Sequence, residues 1–288
     1  MPNYVVFADS ACDIPAATLE KWGVSCESLI FKFQDDDKEY RDGAIESKEF
    51  YDLMRNGAVA TTSAINMENF KIAFRKVLET GKDILYIGFS SGLSTTYNSA
   101  RLAAEELAHE FPDRKIVAVD SLSASAGYGL LLYLTLQKIN EGATIEEAAD
   151  FVIEKRMGLC HWFTVDDLKY LKRGGRISPT VAVVGSLLGI KPVLHMDEEG
   201  HLINVTKVRG RTAALTAIAE SIGEKADGNP ESPIYICHAD CLSDVDTLKQ
   251  IIKDKYNREV DMVVDIGPVI GSHSGPGTIA VFFHGNER

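Results

Sequence analysis

The chain has 288 residues, 45% of them hydrophobic and 25% charged, with a formal net charge of -12. This is ordinary globular composition at a length that suits about two domains, and the acidic balance argues against nonspecific nucleic-acid binding, which needs a basic surface. Neither a signal peptide nor a membrane span is expected: Met1 to Asp9 lacks a basic region, and the longest uncharged run, Ser121 to Gln137, is interrupted by Ser, Gly and Thr.

Tyr4 to Ala8 reads as a buried strand, Ile14 to Trp22 as a helix with Pro15 in its first turn, and Val24 to Phe33 as a second strand. Asp35 to Glu39 is a solvated tip. Helices are expected over Lys48 to Asn56 and Met67 to Glu79, joined by a short polar connector, Ala60 to Asn66. Asp83 to Phe89 contains Ile84-Leu-Tyr-Ile87, a continuous apolar run typical of a parallel strand buried on both faces. Ser90 to Tyr97 opens a helix that continues through Leu107. Ile116 to Val119 is a strand, and helices follow over Ala124 to Asn140 and Ile145 to Arg156, the second capped by Thr144. This alternation predicts an α/β domain over residues 1–158, with a mostly parallel sheet and helices on both faces.

The second half differs and predicts an α+β domain with a mixed sheet over residues 159–288. Leu159 to Val165 reads as a strand, Asp166 to Arg173 as a short helix stopped by Gly174-Gly175, and Thr180 to Leu188 as an apolar helix. Lys191 to Met196 and His201 to Thr206 form a hairpin across Asp197-Glu-Glu-Gly200. A helix (Arg211 to Ala226), a strand (Ile234 to Cys237), a helix (Ser243 to Tyr256) and two last strands complete it. Between those strands, Asp265 to Gly277 holds two prolines and three further glycines before its last residue, and is read as a loop that presents Ser272, His273 and Ser274.

Three polar loops lie where a parallel sheet places its ligand crevice: Asp9-Ser10, Ser90-Ser-Gly-Leu-Ser94 and Asp120-Ser121, with Thr61-Thr62-Ser63 nearby. Hydroxyls and amides at a helix N-terminus suit an anion held by neutral donors, such as a carboxylate, and they equally suit a plain helix cap. Gly88-Phe-Ser-Ser-Gly92 also fits the nucleophile elbow of a serine hydrolase, with Ser90, Asp265 and His273 in the expected order, although no glycine-rich oxyanion segment precedes it. Nicotinamide and P-loop fingerprints are absent. Five scattered cysteines suggest reduced thiols in a cytoplasm, and Cys237-His238 with Cys241 lacks a fourth metal ligand. Lys169, Lys172, Arg173 and Arg176 form a basic cluster around the glycine pair. A helix-end dipole explains Lys172 and Arg173 well and Arg176, beyond the glycines, less well.

Several pieces together resemble the DegV family: Asp9-Ser-Ala-Cys-Asp13, Thr62-Ser63, Ser90-Ser-Gly-Leu-Ser94 with Tyr97, Val119-Asp-Ser121, Leu171-Lys-Arg-Gly-Gly-Arg-Ile-Ser178 and Gly267-Pro-Val-Ile-Gly-Ser-His-Ser-Gly-Pro-Gly277. The resemblance implies a non-enzymatic, cytoplasmic, two-domain bacterial protein with one long-chain fatty acid in an interdomain tunnel and no other cofactor or metal. It implies that Thr62, Ser63, Ser91 or Ser94, and His273 hold the carboxylate. It further implies a separate ATP-dependent fatty acid kinase as partner, with Arg173 and Arg176 contacting that partner or the transferred phosphate, and transient contact with a membrane surface. The chain departs from the family pattern at Ala64-Ile-Asn66 and at Thr95, both beside the implied carboxylate site.

Overall fold

The computed structural model describes residues 3–178 and 189–288. The first sheet is fully parallel, in the order β2-β1-β6-β7, where β1 is Tyr4–Asp9, β2 Val24–Glu27, β6 Asp83–Gly88 and β7 Ile116–Asp120. A small antiparallel sheet, β4-β3-β5, stands beside it, built from β3 (Ile30–Phe33), β4 (Tyr40–Arg41) and β5 (Ala60–Ser63). The helices of this half are α1 (Ala16–Trp22), α2 (Ser47–Arg55), α3 (Met67–Leu78), α4 (Thr96–Glu110), α5 (Ser125–Asn140) and α6 (Ile145–Lys155). A full capping box at Thr144 and Glu147 starts α6.

The other half is a six-stranded mixed sheet, β10-β9-β8-β13-β11-β12. Its strands are β8 (Leu159–Thr164), β9 (Ile190–Met196), β10 (Leu202–Arg209), β11 (Tyr235–His238), β12 (Met262–Asp265) and β13 (Ile279–His284). The β11–β12 pair is parallel and the others are antiparallel. Its helices are α7 (Lys169–Arg173), α8 (Arg211–Lys225), α9 (Leu242–Tyr256) and α10 (Pro268–Ser274). The helix expected over Thr180 to Leu188 lies outside the described residues.

Two apolar cores follow from this layering. In the first, Phe7, Phe70, Phe74 and Tyr86 meet edge-on or tilted, with ring centroids 5.1–6.5 Å apart. In the second, Leu215 and Ile218 of α8 and Leu248 of α9 cluster with Ile236 and Val281 of the six-stranded sheet. Helix α5 packs against β8, β11 and β13, so it mediates contact between the halves. Its apolar residues surround the whole helix, which suits a helix buried on several sides.

Four local readings change. Val24 to Phe33 is not one strand: β2 joins the parallel sheet and β3 the small one. The break falls at Ser28, whose hydroxyl donates to the Leu29 carbonyl (2.9 Å) and accepts from the Asp42 amide (3.0 Å). The connector at Ala60 pairs with β3 as β5, because a partner strand outweighs the weak local preference of Ala-Thr-Thr-Ser. Helix α4 begins at Thr96, later than Ser90. Residues 268–274, expected as loop, are helical. Pro268 occupies the first turn, where its missing N–H costs nothing, and a Cβ on Gly271 would stand 2.4 Å from the Tyr51 hydroxyl. Glycine is required there for helix seating rather than for looseness.

Candidate functional site

A cavity of about 460 Å³ is lined by residues of all three sheets or their connections. Phe163, Met196, Leu202, Ala280 and Phe282 make a mostly apolar wall from the six-stranded sheet, with His161 and Cys237 among them. At the other end Thr62, Ser91, Ser94, His273 and Arg176 line the same space. There Ser91 and Thr95 are exposed, so the polar end meets solvent.

Each polar group has a local reason for its position. On β5, side chains alternate, so Thr62 turns inward while Thr61 and Ser63 are exposed. Ser63 is therefore not among the lining residues, although its neighbour is. His273 is the penultimate residue of α10, and its Nε2 stands 2.7 Å from the Thr62 hydroxyl. Among the described residues Nδ1 is buried without a partner, against Gly174, where a Cβ would stand 2.2 Å from it. An orphaned buried N–H is costlier than a bare lone pair, so we assign the proton to Nε2, facing Thr62 and the cavity. Burial, then the nearby Arg176 and Arg173, push the imidazole down to about 4, so it is neutral at physiological pH.

The loop after β6 is shaped from beneath by two carboxylates. Asp9 accepts from the Phe89 amide (2.9 Å) and the Tyr86 hydroxyl (2.7 Å), and burial pushes it up to about 6. Asp120 accepts from the Ser91 amide at 3.2 Å and the Leu122 amide at 3.0 Å. The Ser91 amide, which the sequence offered to an anion, is thus already engaged. The Ser94 hydroxyl lies 2.9 Å from that of Thr96 and accepts from the Thr96 amide at 3.2 Å, so it is tied to the first residue of α4 while lining the cavity. With Thr96 donating, the Ser94 proton is free for a ligand.

The two arginines part company. Arg173 is exposed over the Tyr170 ring, 5.2 Å from its centroid. Arg176 is half-buried. Its Nε donates to the Leu93 carbonyl (3.1 Å) and its Nη1 to the Gly174 carbonyl, and among the described residues it makes no ion pair. The sequence placed both against a partner or the transferred phosphate; in the structure Arg176 lines the cavity and Arg173 does not.

The hydrolase arrangement is not assembled. Ser90 is buried, and its hydroxyl donates to the Gly200 carbonyl (2.9 Å) while accepting from the Gly92 amide (3.2 Å). His273 faces Thr62, and Asp265 stands 3.5 Å from His238. No group of three or more metal-ligating side chains occurs among the described residues. Cys237 Sγ lies 3.3 Å from the Ser125 hydroxyl oxygen and Cys241 faces the Thr278 carbonyl. Sequence reasoning singled out Ser274 but not Phe163, Met196 and Phe282. On a strand, a residue that faces a cavity has the same apolar period as one that faces the core.

The profile of the family described as "Uncharacterised protein, DegV family" matches residues 3–286. A DegV domain-containing protein of Clostridium perfringens is 41% identical over 292 aligned positions, covering 100% of this chain and 99% of that protein. Among solved structures, a DegV family protein from Thermus thermophilus described for fatty acid binding superposes with a TM-score of 0.87 at 31% identity, covering 98% of this chain and 99% of that one. A stearic acid-binding protein from Eubacterium ventriosum superposes with a TM-score of 0.88 at 26% identity, covering 98% of each chain.

Proposed function

Because the chain belongs to the DegV family, we propose that it holds one long-chain fatty acid, carboxylate outward, in the cavity between its sheets. The observation that carries this reading is the polarity of that cavity, with neutral donors at the solvent-facing end and apolar walls beyond. Thr62, Ser94 and His273 Nε2 supply the donors to the carboxylate, and Ser91 flanks them. Ser63 supports the strand without touching the ligand. The fatty-acid ligands described for the two structural relatives agree with this reading.

The magnitudes support a tail-driven affinity. Burying about 15 methylenes at about 0.8 kcal/mol each gives on the order of 12 kcal/mol. Association and ordering of the chain take back several of these. The head group then fixes orientation more than affinity.

The finer part of the proposal is that this cytoplasmic protein presents the carboxylate to a separate ATP-dependent kinase, which forms an acyl phosphate. The exposed polar end and exposed Arg173 support it, since a partner can reach both. The test is organic extraction of the purified protein followed by mass spectrometry, with stearic acid added to a delipidated sample. One fatty acid per chain is expected. Absence of lipid together with no uptake overturns the proposal.

A further inference from the structure

We infer that Asp13 and Asp42 are positioning residues for His273: together they grip the start of α10 and set the imidazole against Thr62. The inference rests on the fatty-acid reading of the cavity.

A helix of seven residues containing a proline and an internal glycine has little stability of its own. Its placement must come from tertiary contacts. Its first donors are taken by distant carboxylates: the Gly267 amide donates to Asp13 Oδ1 (2.9 Å) and the Val269 amide to Asp42 Oδ1 (3.1 Å). Pro268, between them, has no N–H to offer.

Each carboxylate is itself held. Asp13 Oδ2 accepts from the Ser125 hydroxyl, and Asp13 has a left-handed backbone (φ 54°). Asp42 Oδ2 accepts from the Ser10 hydroxyl (2.9 Å), which in turn accepts from the Leu29 amide (3.1 Å). The Asp42 amide donates to the Leu29 carbonyl at 2.9 Å. Tyr51 donates to the Ile266 carbonyl (2.8 Å), just before the helix.

The small sheet explains why this grip reaches His273. Ile30 on the central strand β3 pairs with Arg41 on one side and Ser63 on the other. Asp42 follows Arg41, and Thr62 precedes Ser63. One rigid three-stranded unit therefore meets both ends of the helix, Asp42 at its start and Thr62 at His273. Two strand spacings are about 9–10 Å, and the six steps from Gly267 to His273 rise about 9 Å. The helix is thus spanned by the sheet that carries its hydrogen-bonding partner. A tilt of about 10° about its start would move His273 by more than about 1 Å, enough to break a carboxylate contact shared between Thr62 and His273.

A plain helix cap and a positioning clamp differ in what their loss does to different ligands. The measurement is Kd for stearic acid and for stearyl alcohol, which share a tail, in wild type, Asp42→Ala, Asp13→Asn, His273→Ala and the Asp42→Ala/His273→Ala double variant. We expect Asp42→Ala to weaken stearic acid roughly tenfold, the scale of a lost charge-assisted contact, and to change stearyl alcohol less than about twofold on the same scale. In the His273→Ala background, Asp42→Ala should cost the acid nothing further, because the two act through one contact. Asp13→Asn, which keeps one carbonyl acceptor, should shift the acid in the same direction. Equal weakening of acid and alcohol, full additivity with His273→Ala, or an unchanged acid Kd overturns the inference while leaving the fatty-acid reading intact. A wild type that takes up neither ligand overturns both.

Discussion

His273 is neutral because burial and two arginines oppose its protonation. It therefore acts as a hydrogen-bond donor rather than a cation, and a replacement that keeps an N–H should keep much of its effect. His273→Ala is expected to weaken fatty-acid binding by about 1–3 kcal/mol, the cost of an unsatisfied carboxylate lone pair, and His273→Gln by less. Calorimetric Kd values on delipidated protein decide this, and equal losses in both variants would refute the donor role. The arginines predict a second split. Arg176 lines the cavity, and Arg173 does not. Arg176→Ala should reduce fatty-acid affinity, whereas Arg173→Ala should leave lipid content unchanged and, if the proposed kinase is the partner, reduce acyl-phosphate formation. Lipid quantification beside coupled turnover on the same preparations checks both halves.

At the scale of elements, the first β-strand ends in a carboxylate held above its ordinary range. Burial pushes Asp9 up to about 6, although the Phe89 amide and the Tyr86 hydroxyl hydrogen-bond to it. An unfolded Asp titrates near 3.9. Between these values the folded chain holds more protons than the unfolded one, so stability falls as pH rises. Asp42, also raised to about 6, contributes in the same direction. Urea unfolding across this window should show a less negative slope for Asp9→Asn than for wild type, and an unchanged slope would mean that Asp9 is ionised throughout. The helix α10 teaches a related lesson. Its proline and glycines read as loop because local preference disfavours a helix interior, yet Pro268 falls at the first turn and Gly271 under Tyr51. Both exceptions depend on tertiary neighbours.

At the scale of the whole molecule, the cavity lies between sheets whose pairing is fixed from opposite ends of the chain. Ala280 and Phe282, two positions apart on β13, line the cavity with Thr278 just before the strand, so on the proposed reading this strand would gauge the acyl tail. Ala280→Phe should shorten the accepted chain. Overpacking costs about 1–3 kcal/mol when nothing yields, and dropping terminal methylenes relieves it. Mass spectrometry of the copurified lipid should then show a shift to shorter acids, and an unchanged distribution would place the tail elsewhere.

Residue pattern alone carried the alternation of strands and helices and the mixed sheet of the second half, and it put forward hydroxyls and a histidine as candidates for an anion. These are local: apolar period, cap residues and glycine-proline punctuation act over a few positions. Long-range packing set that Thr62 and not Ser63 faces His273, that Arg176 lines the cavity while Arg173 stays in solvent, and that Ser90 is tied to Gly200. It also decided that Val24 to Phe33 divides between two sheets. The physical reason is that a strand's period separates its two faces without saying what each face meets. That is set by contacts such as Gly267 with Asp13, 254 residues apart in the chain.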